Sequence, residues 1–246
     1  MKLPHKLAKQ PVIEAIFEMR FKSQAAASIL PGFLFTKLSG EKSIERLPAA
    51  EFPQQMRNFD PNLQYAPLVR MHWDAFLILV GDRSVALACK FPYVGWSAFR
   101  PAILDLIELI RQASIIESVE RMALKYINIF PSELGDASAL VKFELRVGEH
   151  GAAKDNFQIR VEVPTDDALL LIVQIIASGT AKFPDGTSRT GVTLDIDTLA
   201  MTADMPFQKF AGMLPDRIEA VHRASKAMFF DCLKPETIQK LEPSYD

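Results

Sequence analysis

At 246 residues, 49% hydrophobic and 24% charged, the chain has the composition of a soluble globular protein with one large domain or two ordinary ones. Its 28 basic and 30 acidic residues leave a net charge of −2, which excludes the global positive field of a nucleic-acid or anionic-membrane binder. The longest apolar run, Ala168–Val173, is too short to span a bilayer, and the opening stretch MKLPHKLAKQPVIEA lacks a signal-peptide core, so a cytoplasmic protein without membrane contact is expected.

Val12–Lys22 reads as a strand. Ile13, Ala15, Phe17, Met19 and Phe21 make one apolar face, while Glu14, Glu18, Arg20 and Lys22 mark the other, the pattern of a half-buried antiparallel strand. Ser23–Leu38 places Ala25, Ile29 and Phe33 at four-residue spacing, which predicts a helix despite Pro31. Gly40–Pro67 is punctuated by Pro48, Pro53, Pro61 and Pro67. A short helix is expected over Phe52–Asn58 and a turn at Asp60–Asn62, with the rest a functional loop. Leu68–Trp73, Ala75–Val80 and Ser84–Phe91 read as strands joined by tight turns.

The stretch Phe91–Asn128 organises the chain. Phe99, Ile103, Leu106, Ile107 and Ile110 share one helical face, which predicts a helix over Ser97–Ala113 covering a sheet. Ser97 is its expected N-cap, with Pro101 in the first turn. Glu120–Phe130 is apolar on both faces, as a central strand is. Pro131–Ala139 is polar and reads as a linker. Leu140–Val147 and Phe157–Val163 alternate as strands around a polar turn, Gly148–Asn156. Leu169–Ser178 reads as a buried strand, and Lys182–Gly191 as a hairpin connection. Val192–Ala200 sets Val192, Leu194 and Ile196 against Thr193, Asp195 and Asp197, which places both aspartates on a wet face. A helix over about Pro206–Leu233 carries the stripe Leu214, Ile218, Val221, Ser225, Met228 and Cys232, with Pro215 as its start or a kink. A short helix at Pro235–Leu241 and a loose tail follow.

The fold class expected is therefore α+β, with two mainly antiparallel sheet-plus-helix units. One spans 1–131 and the other 139–246, each with its covering helix. An internal duplication and a single packed domain are both compatible with this pattern.

Chemistry is sparse. No two of the four histidines, His5, His72, His150 and His222, lie at zinc-ligand spacing, and neither Cys89 nor Cys232 has a Cys-x-x-Cys partner. His222 is expected on a solvated helix surface and His72 as a half-buried strand residue. Phosphate loops, nucleophile elbows and dinucleotide turns are missing from the sequence. No catalytic residue, metal ligand or cofactor is assigned. Asp195 and Asp197 share a strand face and could hold a divalent cation, although charged residues on a wet face are the commoner reading.

Tyr93 and Trp96 join Phe91 and Phe99 in an aromatic corner suited to anchoring a partner. Arg46, Glu51 and Arg57 supply charge along the proline-stiffened loop. These five residues, Tyr93, Trp96, Arg46, Glu51 and Arg57, are the candidate binding residues. PVIEAIFEMRF at 11–21, LPAAEFPQQMRNFDPNLQYAP at 47–67, FPYVGWSAF at 91–99, ERMALKYINIF at 120–130 and HRASKAMFF at 222–230 together resemble a sporadically distributed family of uncharacterised bacterial proteins of this length. The resemblance spans the chain and implies a stand-alone unit, with antitoxin, immunity or defence roles suited to so patchy a distribution. It brings no catalytic residues.

The leading expectation is a non-catalytic protein-binding protein with a protein partner and no nucleic acid, a homodimer remaining open. A module enclosing a small hydrophobic ligand is the first alternative. A divalent-metal-dependent enzyme using Asp195 and Asp197 is the second.

Overall fold

The computed structural model describes residues 3–151, 156–183 and 185–245. Strands β1 (Lys6–Leu7) and β2 (Val12–Lys22) open the chain, followed by helix α1 (Ala26–Lys37) and strand β3 (Lys42–Arg46). A 3-10 turn at Pro48–Glu51 leads into helix α2 (Gln54–Phe59). Strands β4 (Pro67–Trp73), β5 (Phe76–Gly81) and β6 (Ser84–Cys89) form a meander before helix α3 (Trp96–Ala113). Strand β7 (Ser118–Pro131) passes through a 3-10 turn at Ser132–Leu134 into the short helix α4 (Ala137–Leu140). The short pair β8 (Arg146–Val147) and β9 (His150–Gly151) precedes β10 (Gln158–Pro164), β11 (Leu169–Lys182) and β12 (Ser188–Pro206). Helices α5 (Phe207–Cys232) and α6 (Pro235–Lys240) and strand β13 (Pro243–Ser244) complete it.

The fold is α+β, as expected, with a large antiparallel sheet and covering helices. Nine strands hydrogen-bond in the order β10-β11-β12-β7-β2-β6-β5-β4-β3. The chain divides into two compact units. A terminal unit comprises Met1–Glu14, Lys125–Thr198 and Val221–Asp246, and a central unit comprises Ala15–Leu124 and Leu199–Ala220. The long elements β2, β7, β12 and α5 contribute residues to both.

In the central unit, α3 buries Phe99, Ile103, Leu106, Ile107 and Ile110, the face its periodicity predicts. Ala15, Phe17, Met19 and Phe21 of β2 are fully buried on the alternation expected of them. Strand β6 is buried at every position, as an inner strand covered on both faces must be. The start of α3 differs from expectation. Gly95 is the N-cap, at φ 89°, and its C=O accepts from Ala98 and Phe99 N–H. Glycine takes this positive φ without steric cost, so the helix begins ahead of Ser97, which makes no cap bond, and Pro101 falls beyond the first turn.

In the terminal unit the core gathers Phe130, Leu171, Val173, Val192, Leu194 and Phe230 around Leu140, Leu233 and Ile238. The stretch read as a polar linker forms the 3-10 turn and α4, where Asp136 accepts from Ala139 N–H at 2.9 Å and buries Ala137 and Leu140. The strand expected over Leu140–Val147 does not form. Leu140 C=O is taken by Lys234 N–H and Thr237 Oγ1, Lys142 N–H donates to Cys232 C=O, and Val141 makes a lone bridge to Leu233. With these groups committed to the end of α5 and to α6, only Arg146–Val147 pairs as strand, with His150–Gly151. Part of the expected turn Gly148–Asn156 and part of the expected hairpin Lys182–Gly191 lie outside the described residues. The expected loose tail is instead strand β13, which pairs with β1, and Lys9 meets Glu242 at 2.7 Å beside it.

Two substitutions test this packing. A Cβ on Gly191 would sit 1.9 Å from Phe130 C=O, so β12 can approach β7 there only as glycine. Gly191→Ala should cost about 1–3 kcal/mol, read as a lower urea midpoint with unchanged slope. Ile107→Asp buries an unpaired charge on the α3 face and should cost roughly 4 kcal/mol or more, enough to abolish a cooperative thermal melt.

Candidate functional site

Helix α2 is built inside out. Its one buried residue is Arg57, 8% exposed. Arg57 Nε donates to Asp82 Oδ2 at 2.7 Å and Nη2 to Asp82 Oδ1 at 3.2 Å, while Nη1 donates to Phe52 C=O. This two-pronged contact offsets the desolvation of both charges and ties the helix to the β5–β6 turn. Phe52 caps the end of the preceding 3-10 turn, and Pro53 is the N-cap residue of α2. Because the guanidinium takes the inward face, the large apolar side chains turn outward. Phe52 is 43%, Met56 52% and Phe59 88% exposed, at spacings of four and three residues. An ordinary surface helix does the reverse. Glu51, Gln54, Gln55 and Asn58 are exposed around them, and Asp60 accepts from Asn62 N–H at 2.8 Å to turn the chain after the helix.

The candidate residues of the loop therefore fall into different roles. Glu51 is exposed beside Phe52, and Arg46 is exposed at the end of β3 with Nη2 3.4 Å from Ala50 C=O. Arg57 is the buried anchor. Phe52, Met56 and Phe59 were legible as an apolar series within a polar helix, but their spacing alone reads as a core-facing stripe. Where the sequence suggests only a loop after Gly40, strand β3 forms against β4, Lys42–Arg46 pairing with Val69–Trp73. In the aromatic corner, Tyr93 and Trp96 are half-buried and meet Phe99 edge-on at 6.3 and 6.4 Å. Trp96 Nε1 donates to Glu219 Oε2 at 3.1 Å. The charged residues near it in sequence are in use: Asp82 holds Arg57, Arg83 meets Glu120, and Arg100 Nε lies 3.2 Å from Glu219.

Ionisable groups elsewhere are also engaged. In the central unit Glu18 accepts from both Arg20 and Arg121, and Glu120 from Arg83 and the Tyr65 hydroxyl. Arg20 stacks 4.2 Å above the Tyr65 ring. Burial, then the bond to Glu120, raises the Tyr65 phenol above its ordinary value, so it stays neutral. Asp195 is not on a wet face. It is 8% exposed and its Oδ2 lies 2.9 Å from Lys125 Nζ, because β12 is covered on both faces over Gly191–Ile196. Asp197 is half-buried. Among the described residues no three His, Cys, Asp or Glu gather as metal ligands. His222 is likewise not on a solvated surface; its half-buried ring has Nδ1 3.2 Å from the Tyr126 hydroxyl. His72 is half-buried, with Nε2 3.5 Å from Glu45. Burial raises both thiols, that of Cys232 to about 11, which keeps them protonated and poor nucleophiles. A cavity of about 250 Å³ has a mixed lining that includes Asp105, Glu108, Ile107 and Leu214.

Glu14 supplies a pH test. Burial raises its carboxyl above the ordinary value, Lys125 pulls it down and Asp195 pushes it up, with a net rise. The native state thus holds this proton more tightly than the unfolded chain does. Stability is favoured below the ordinary value of 4.5 and falls as pH rises through the raised native value. Glu14→Gln should remove that fall, with a Tm above wild type at neutral pH and a difference that shrinks towards pH 4, read from melts across the range.

No protein-family model matches this chain, and no curated protein matches it.

Proposed function

We propose that this chain is a non-catalytic protein-binding module that docks a protein partner on the outward face of α2, through Phe52, Met56 and Phe59. The observation that carries this reading is the exposure of Phe59, 88%, beside Met56 at 52%, on a helix whose buried side is an arginine. A large aromatic and a thioether held in water cost nothing to the fold when covered by a partner. Each full burial contributes on the order of 1.5–3 kcal/mol before the costs of association. Aromatic residues and methionine are enriched at such contacts, and a polar rim of the kind Glu51, Gln54 and Asn58 provide is what surrounds them. Glu51, exposed beside Phe52, is an acid, which favours a protein over an anionic membrane. A stoichiometric binder of this kind fits the antitoxin, immunity or defence setting that the resemblance to sporadically distributed bacterial proteins implies.

The test is affinity capture from the native host with mass spectrometry, comparing wild type with Met56→Ser/Phe59→Ser. The double variant should melt within about a degree or two of wild type, because surface changes usually fall within about 0.5 kcal/mol. Its partner should bind at least about tenfold more weakly, a loss of about 1.4 kcal/mol. A folded variant that keeps its partner at full strength overturns the reading, as does flotation of the wild type with lipid vesicles or turnover of a substrate by the purified protein.

A further inference from the structure

Strand β3 ends the nine-stranded sheet, with β4 on one side and its other side open. Leu47 N–H donates to Leu68 C=O at 2.9 Å, in the register that sets Glu45 opposite Arg70 and Ser43 opposite His72. Hydrogen-bonded pairs alternate along an antiparallel ladder, so the backbone groups of Lys42, Ile44 and Arg46 point away from β4 along the open edge. The same alternation puts these three side chains on one face, that of the fully buried Met71 opposite Ile44. Ile44 is 42% exposed at the rim of that face.

The charges on the edge are uneven. The Lys42 ammonium donates to the carbonyls of Phe35 and Leu38, and the Arg46 guanidinium reaches a carbonyl too. Neither is ion-paired to a described residue, whereas Glu45 on the other face is held by Arg70 at 2.8 Å. The edge therefore offers, on either side of an apolar residue, two cations that meet carbonyls but no carboxylate among the described residues, above a row of outward-pointing backbone donors and acceptors. A second copy does not complete it. Two-fold antiparallel pairing centred on Ile44 sets Lys42 opposite Arg46, and centring it on Ser43 or Glu45 sets Glu41 opposite Glu45 or Glu45 opposite itself. Like charges directly opposite are destabilising.

We propose that β3 accepts an extended segment of a partner protein as a tenth, antiparallel strand, with an apolar residue opposite Ile44 and carboxylates opposite Lys42 and Arg46. Main-chain bonds supply the affinity, and the acidic–x–apolar–x–acidic pattern supplies the selectivity. This surface is separate from the Phe59 face of α2, and either can be lost without the other.

The probe is the fluorescein-labelled peptide Ser-Glu-Thr-Val-Thr-Glu-Ser, compared by anisotropy with the same peptide carrying lysine for both glutamates. The wild type should bind the acidic peptide saturably and at least about tenfold more tightly than the basic one. Ile44→Pro removes one outward N–H while sparing the bonds to β4, as proline does on an edge strand, and should abolish binding. Arg46→Glu should narrow or reverse the preference for the acidic peptide; it decides the matter alone if Ile44→Pro lowers the melting temperature. Phe59→Ser should leave peptide binding unchanged, which separates this test from that of the α2 face. Absence of saturable binding up to about 1 mM, equal binding of both peptides, or full binding by a folded Ile44→Pro overturns the proposal.

Discussion

The outward face of α2 depends on one buried ion pair. Arg57 can leave water only because Asp82 meets it with both carboxylate oxygens and Phe52 C=O takes a further N–H. With one face of a six-residue helix given to that contact, no inward position remains for Met56 and Phe59, and Phe52, just ahead of the helix, is exposed with them. Had the inward residue been leucine, the helix could rotate to bury its apolar series. The guanidinium prevents this, since turning it outward would leave Asp82 desolvated without a partner. The pair thus fixes orientation rather than adding much net stability, which is the attested use of buried charge.

The same division of labour runs through β2. Its odd positions from Ala15 to Phe21 are closed hydrophobic core, while Glu14, Glu18 and Arg20 on its even positions are half-buried and ionic. In the central unit Glu18 binds Arg20 and Arg121, and in the terminal unit Glu14 lies near Lys125 and Asp195. Partly covered pairs of this kind are screened less than surface ones and gain from mutual hydrogen bonding. They leave these carboxylates and guanidiniums engaged with one another, with Tyr65 neutral and both thiols protonated.

Particular elements show how far local pattern reaches. The faces of α3 and β2 and most of the α5 stripe were legible because each element reports by its own period which side leaves water. Asp195 was misjudged as solvated because a charged residue on an alternating strand looks the same whether water or a second ion meets it. Strand β3 carried no alternation to read: it lies at the sheet edge, and four of its five residues are exposed. Leu140–Val147 alternated well enough, yet α6 and the end of α5 claimed its backbone groups first.

By itself the sequence determined the α+β class and the antiparallel character of the strands, since these follow from periodicity and from connections too short for crossovers. Only the tertiary structure decided the strand order, the open edge at β3 and the inversion of α2. Each of these depends on which distant group meets a side chain or backbone N–H, as Asp82 meets Arg57 across 25 residues. Local spacing carries no record of such a partner, so the residues that face outward became visible only once those facing inward were paired.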